Sequence, residues 1–130
     1  MINILVGALA IFIFGMIWYT ALFGKLWAKL SGISMEPDPN FKGMAKPMLL
    51  NFVANILPMI SVYYMQPRLT AIGFESFWKL ILVVWLGFTL PTYLNAAIWE
   101  RKSWKLVLLN SAYTILLFTI AGAIAYYWPR

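Results

Sequence analysis

The chain has 130 residues, of which 63% are hydrophobic and only 11% are charged, and its formal net charge is +6. It contains no histidine and no cysteine, which excludes disulfides, thiol nucleophiles and the usual zinc, copper and haem sites within this sequence. The basic residues lie at the ends of apolar runs and not in an aromatic-rich patch, so we expect no nucleic-acid partner.

The charged residues are confined to short gaps between four uncharged, apolar runs. Each run is about 20 residues long, which lets a helix cross roughly 30 Å of hydrocarbon. We therefore predict an all-α fold, an integral membrane four-helix bundle with antiparallel up-down connectivity. The predicted single membrane domain covers residues 1–130, with spans at about 2–23, 47–66, 77–98 and 104–128.

The first span carries small residues on one stripe. Gly7, Ile11 and Gly15 recur at every fourth position, and Trp18 and Leu22 continue the same face. Small residues let the backbone of another helix approach closely in a membrane, so we predict Gly7 and Gly15 to be helix-packing positions. Gly122, between two alanines in the last span, is a third helix-packing prediction.

The segment after the first span predicts a short interfacial helix at about 24–31. Lys25 and Lys29 share one face at i,i+4 spacing, and apolar residues lie beside them. The following stretch Met35–Asn40 holds two prolines and two acids, which argues against continued helix. This longest loop is either a plain solvated connection or a site of partner contact.

Aromatic residues near the ends of the runs are typical of anchors at the membrane–water interface. The predicted anchors are Trp18, Tyr19, Trp27, Trp78, Trp104 and Trp128.

The distribution of basic residues predicts an orientation. The first and third loops hold seven cations, namely Lys25, Lys29, Lys42, Lys46, Arg101, Lys102 and Lys105, whereas the other side holds Arg68, Lys79 and Arg130. The positive-inside bias then places the first and third loops in the cytoplasm and both termini outside. We expect this orientation in a bacterial cytoplasmic (inner) membrane.

A few polar side chains inside the runs fall at similar depth. Asn51, Asn95 and Asn110 each lie five residues from a charged residue at the same predicted face, about 7–8 Å deep at ~1.5 Å per residue. The candidate polar layer comprises Asn51, Asn55, Asn95, Asn110 and Thr114. Its side chains either bond across helices and fix their packing, or form a polar entrance for a small solute.

No Asp, Glu, Lys, Arg or His lies inside any of the four runs, which argues against a proton-coupled transporter. The carboxylates are spread over loops, and no nucleophile–base pair is recognisable, so we predict no enzyme and no catalytic, cofactor-binding or metal residues. The expected function is that of a non-enzymatic accessory or structural subunit of a membrane complex or homo-oligomer. The alternative is a small passive channel or uncoupled carrier. The expected partners are membrane lipids and further copies or other membrane subunits.

Two motifs resemble those of the uncharacterised domain-of-unknown-function family 1761. The segment Gly15–Trp27 is similar to its Gly-x-x-Trp-Tyr-Ser-Pro-Leu-Leu-Phe-Gly-x-x-Trp signature, and Glu100–Tyr113 is similar to the motif before its last helix. Thr20-Ala21 stands where the family often has Ser-Pro, and Thr114 stands where it often has His. The resemblance covers essentially the whole chain and implies a small four-helix membrane protein without an established activity, substrate or cofactor.

Overall fold

The computed structural model describes residues 1–33, 41–71 and 77–128, and every regular element in these ranges is helical. The predicted loop Met35–Asn40 lies outside the described residues. In chain order the elements are α1 (Ile2–Ile17), a π-helical turn (Trp18–Leu22), α2 (Gly24–Ser31), α3 (Phe41–Ala71), α4 (Phe77–Val84), a second π-helical turn (Trp85–Thr89), α5 (Leu90–Trp99) and α6 (Trp104–Tyr127).

Four helical stretches are long and apolar enough to cross a membrane, as an integral membrane protein requires. We call them the first to fourth spans, and they cover Ile2–Leu22, Ala45–Arg68, Trp78–Trp99 and Trp104–Tyr127. Many of their large apolar side chains are exposed, because their solvent would be lipid and not water. α2, the segment predicted as an interfacial helix, is separate from these spans and ends at Gly32, whose φ of 71° suits a glycine.

Both π-helical turns interrupt a span after a tryptophan. The N–H of Phe23 donates to the carbonyl of Trp18 at 2.9 Å, and the N–H of Leu90 donates to the carbonyl of Trp85. In the third span the cause is Pro91, because proline has no N–H to donate and its ring crowds the carbonyl four residues earlier. In the first span the helix ends at Phe23 although no proline precedes it.

The first π-helical turn also shifts the register of the first span, because it holds more residues per turn than an α-helix. Gly7 and Ile11 are buried as the stripe predicts, but Leu22 is 60% exposed. The prediction that Leu22 continues the packing face is therefore wrong. The α-helical spacing on which it was based does not apply beyond Ile17.

The core lies where the first, second and fourth spans meet one another. Its buried cluster consists of Ala8, Ile11, Met59, Leu117 and Ala121. The third span has its main contacts with the fourth span alone, through α4, α5 and the second π-helical turn. The described helices thus form a three-helix core with a fourth helix attached to one side of it.

Two of the three glycines predicted to pack helices, Gly7 and Gly15, lie against large side chains of other spans. A Cβ built on Gly7 would lie 2.6 Å from the sulfur of Met59, and one built on Gly15 would lie 2.7 Å from the hydroxyl oxygen of Tyr113. Gly122 is buried on α6. Without a hydrophobic driving force between helices in lipid, such close packing is a main source of helix association.

We expect Gly7→Ala to destabilise the protein by about 1–3 kcal/mol, because the added methyl overpacks against the fully buried Met59. The control is Val53→Ala on α3, which shortens a side chain that is 50% exposed. This control should leave the free energy of unfolding nearly unchanged, because the side chain faces away from the core. Equilibrium unfolding in detergent micelles measures both, and equal losses would contradict the close-packing account.

Candidate functional site

The predicted polar layer contains one pair within a single helix. Asn51 and Asn55 both lie on α3, one helical turn apart, and the side-chain amide of Asn55 donates to the side-chain oxygen of Asn51 at 3.1 Å. Asn55 is buried, whereas Asn51 is exposed. This bond uses one N–H of Asn55 and the oxygen of Asn51, and it does not itself connect two spans.

Asn110 connects the first and fourth spans. Its side-chain oxygen accepts a hydrogen bond of 2.8 Å from the hydroxyl of Tyr19. Tyr19 therefore directs its hydroxyl to another helix, although the sequence predicted an interfacial anchor. Tyr19 lies near the end of the first span and Asn110 near the start of the fourth, so the predicted topology places both near the same membrane face. This shared depth is the signal in the sequence for their contact.

Thr114 connects the third and fourth spans through a tryptophan that the sequence analysis missed. The indole N–H of Trp85 donates to the hydroxyl oxygen of Thr114 and to the carbonyl of Ser111, each at 3.1 Å. The Thr114 hydroxyl in turn donates to the same Ser111 carbonyl at 3.0 Å. A tryptophan in the middle of an apolar run, whose N–H requires a partner in lipid, is the signal that could have identified this contact.

Asn95 lies apart from the other members of the predicted layer. It is exposed on the third span, near the end of α5. The five predicted residues thus form one pair within a helix, two connections between helices and one exposed carboxamide.

Tyr19 and Tyr113 belong to an aromatic cluster at the same end of the helices. Tyr113 stacks on Phe14 with 5.6 Å between ring centroids, and Trp27 of α2 contacts Tyr19 edge-on at 5.6 Å. Trp18 lies within this cluster and is only 8% exposed. Its prediction as an interfacial anchor needs correction, because the indole faces Phe23 and Tyr113 in the protein.

Three of the predicted anchors have exposed side chains, whereas Trp27 is half-buried. Trp78 and Trp104 are 53% and 61% exposed, and Trp128 is 43% exposed. Their exposure is consistent with the predicted position at the membrane interface.

An open cavity of about 480 Å³ lies beside this aromatic cluster. All four spans and α2 contribute to it, and its polar lining consists of Tyr19, Thr20, Asn51, Tyr93, Asn110 and Tyr113. Phe12, Met16, Met48 and Trp27 supply much of the apolar wall. No charged side chain is among the described residues that line it. The cavity therefore offers hydroxyl and amide groups beside aromatic and thioether surfaces.

Two members of the predicted layer, Asn51 and Asn110, line this cavity, whereas Asn55, Asn95 and Thr114 do not. Tyr93 was not predicted, although it is the residue through which the third span reaches the cavity. Such a side chain offers an apolar ring to the wall and one hydroxyl to a bound group.

We expect Tyr19→Phe to destabilise the protein by about 0.6–2 kcal/mol, because it removes the hydrogen bond to Asn110. The control is Tyr127→Phe, which removes a hydroxyl from a ring that is 73% exposed. Unfolding of Tyr19→Phe, Asn110→Leu and the double variant forms a thermodynamic cycle. Additive effects in this cycle would show that the two residues do not stabilise each other.

Comparison with known proteins agrees with the motifs of the sequence. The family model described as "Protein of unknown function (DUF1761)" matches residues 2–126, and this confirms the resemblance. Neither the curated proteins nor the solved structures include a match to the chain. With its model matching almost the full length, the chain belongs to the DUF1761 family.

Proposed function

We propose that this protein is a non-enzymatic membrane subunit that associates with another membrane protein, or with further copies of itself, through its third span. The observation that carries the proposal is the exposed carboxamide of Asn95 on the one span that packs mainly against a single neighbour. A polar group that faces lipid is unfavourable, and a second helix that bonds to it removes the penalty.

The surface around Asn95 suits close contact with another helix. Gly87 has open space where a side chain would be, and Phe88 is 74% exposed. Within α5, Pro91 and Thr92 are exposed four and three residues before Asn95, so these three positions share one face of the helix. The space beside the glycine and the exposed aromatic ring allow close packing, and the carboxamide can form one directional hydrogen bond. Van der Waals packing and hydrogen bonds are the interactions that drive helix association in lipid.

The alternative function, a passive channel or uncoupled carrier, has less support. The cavity supplies a polar entrance at one end of the helices. Beyond it, Ala8, Ile11, Met59 and Ala121 are fully buried in an apolar core where three spans meet. A solute path through that core would have to separate these side chains, whereas a subunit needs no such path.

We further propose that the four spans alternate in direction as an up-down antiparallel bundle. Three contacts between the first and second spans support this. Asn3 donates to Tyr63 at 2.9 Å, Gly7 faces Met59, and Phe12 contacts Phe52 at 6.1 Å between ring centroids. Residue numbers rise on one helix as they fall on the other, which is the pattern of antiparallel helices.

We place the protein in a bacterial cytoplasmic membrane with both termini outside, on the basis of the cation distribution. Because the chain has no cysteine, single cysteines report accessibility without background. We expect Lys102→Cys in the third loop to resist a membrane-impermeant thiol reagent in intact cells, and Arg68→Cys to react with it. Permeabilised cells provide the control, since both variants should then react. The reverse labelling pattern would overturn the orientation.

For the proposed association, we expect the wild-type protein in mild detergent to have a native mass above the 14.9 kDa of one chain. Asn95→Leu should weaken the association about tenfold, because it removes an interhelical hydrogen bond in lipid. The measurement is light scattering or native mass spectrometry over a range of protein concentrations.

A matched control for Asn95→Leu is Leu57→Ala, which changes a side chain on the second span that is 66% exposed. It should leave the association unchanged. Extra mass made of copies of this chain indicates a homo-oligomer, and other subunits indicate an accessory role. A monomer in mild detergent, with no crosslinked partner in native membranes, would contradict the proposal.

A further inference from the structure

The helices that line the cavity of Tyr19 and Asn110 carry exposed lysines at one end, which we call the basic end and which the proposed subunit role does not use. Pro47 lines the cavity, and the exposed Lys46 precedes it directly in α3. Trp27 lines it from α2, a helix whose Lys25 and Lys29 are both exposed. Lys105 is likewise exposed at the start of α6, which supplies Asn110 and Tyr113 to the wall.

Along α3 and α6, a lysine at the basic end is followed by a carboxamide that lines the cavity. Lys46 and Lys105 lie five residues before Asn51 and Asn110 in α3 and α6, a rise of about 7–8 Å at ~1.5 Å per residue. The headgroup region on each side of a bilayer is about 5–8 Å thick. Lysines at the headgroup level therefore place the carboxamides and phenols of the cavity near the boundary with the hydrocarbon.

We propose that this cavity binds one anionic phospholipid molecule. The phosphate would lie among the lysines, and the ester carbonyls would accept hydrogen bonds from the phenol and carboxamide groups. The upper acyl chains would pack against Phe12, Met16 and Met48. A neutral interior with a basic end fits an amphiphile with an anionic headgroup, and does not favour a cation.

The position of the third span gives the acyl chains a way out into the bilayer. This span contributes Tyr93 to the cavity wall but makes its main contacts with the fourth span and not with the first or second. A lipid bound at the basic end can therefore extend its chains between these helices. The bound lipid would fill space that no described side chain occupies.

The first test compares phosphatidylglycerol with phosphatidylcholine of identical acyl chains, added in equal amounts to the detergent-purified protein. Native mass spectrometry counts the bound molecules of each. We expect one phosphatidylglycerol to be retained in preference to phosphatidylcholine. Lys46→Gln and Lys25→Gln should each lower this preference about fivefold, because each removes one favourable charge near the headgroup. Equal retention of the two lipids would overturn the proposal.

The control for the lysine variants is Lys79→Gln, which removes an exposed lysine near the start of the third span, 14 residues before the cavity-lining Tyr93. It should leave the preference unchanged. If it lowers the preference as much as Lys46→Gln does, the lipid responds to net charge alone and the cavity is not a specific site.

The second test fills the cavity with a side chain. Met48→Trp adds a large ring to the cavity wall, whereas Leu50→Trp adds the same ring to a position on α3 that is 59% exposed. We expect Met48→Trp to abolish retention of phosphatidylglycerol, and Leu50→Trp to preserve it. Circular dichroism verifies that both variants remain helical. If a folded Met48→Trp variant retains phosphatidylglycerol, the proposal is overturned. If this variant fails to fold, the lysine variants of the first test decide whether the cavity binds the lipid.

Discussion

Packing of large side chains against two glycines of the first span is the constraint on which the rest of this structure depends. Lipid is as apolar as leucine, so burying leucine between helices yields little free energy in a membrane. Gly7 and Gly15 bring the first span against the second and the fourth, where Met59 and Tyr113 fill the space that side chains would otherwise take. The three-helix core forms around this contact, and the hydrogen bond from Tyr19 to Asn110 lies at one end of it.

The third span is held by different forces. Its contact with the fourth span includes the indole of Trp85, which donates to both Ser111 and Thr114, and it lacks extensive contact with the other two spans. This arrangement leaves a cavity on one side of the span and an exposed carboxamide on the other. The cavity and the exposed carboxamide of Asn95, to which we assign binding, thus both arise because the third span packs mainly against the fourth span alone.

Charge and length in the sequence were enough to predict the helical class and the approximate spans, because few sequences satisfy the length and polarity requirements of a bilayer. The glycine stripe also predicted close contacts at Gly7 and Gly15. The depth of a side chain in the membrane could be estimated from its distance in sequence to the charged loops. The direction in which it points about the helix axis could not. For this reason Asn95 was grouped with Asn110, and the inward-facing Trp18 was expected at the interface. The indole of Trp85 and the phenol of Tyr93 each indicate a hydrogen-bond partner, but the sequence does not show which helix supplies it.

The π-helical turn at Trp18–Leu22 has a consequence for how the chain tolerates changes in length. A π-helical turn holds one residue more than the α-helical path requires, and each residue of an α-helix turns the chain by about 100°. Five residues of a π-helical turn cover about the same rotation as four residues of an α-helix. Deleting Ala21 would therefore convert this turn to a regular α-helix and leave α2, with Trp27 beside Tyr19, in nearly the same angular position. A deletion within α1 would instead rotate all that follows by about 100°. The π-helical turn is thus the part of the first span that best tolerates the loss of a residue.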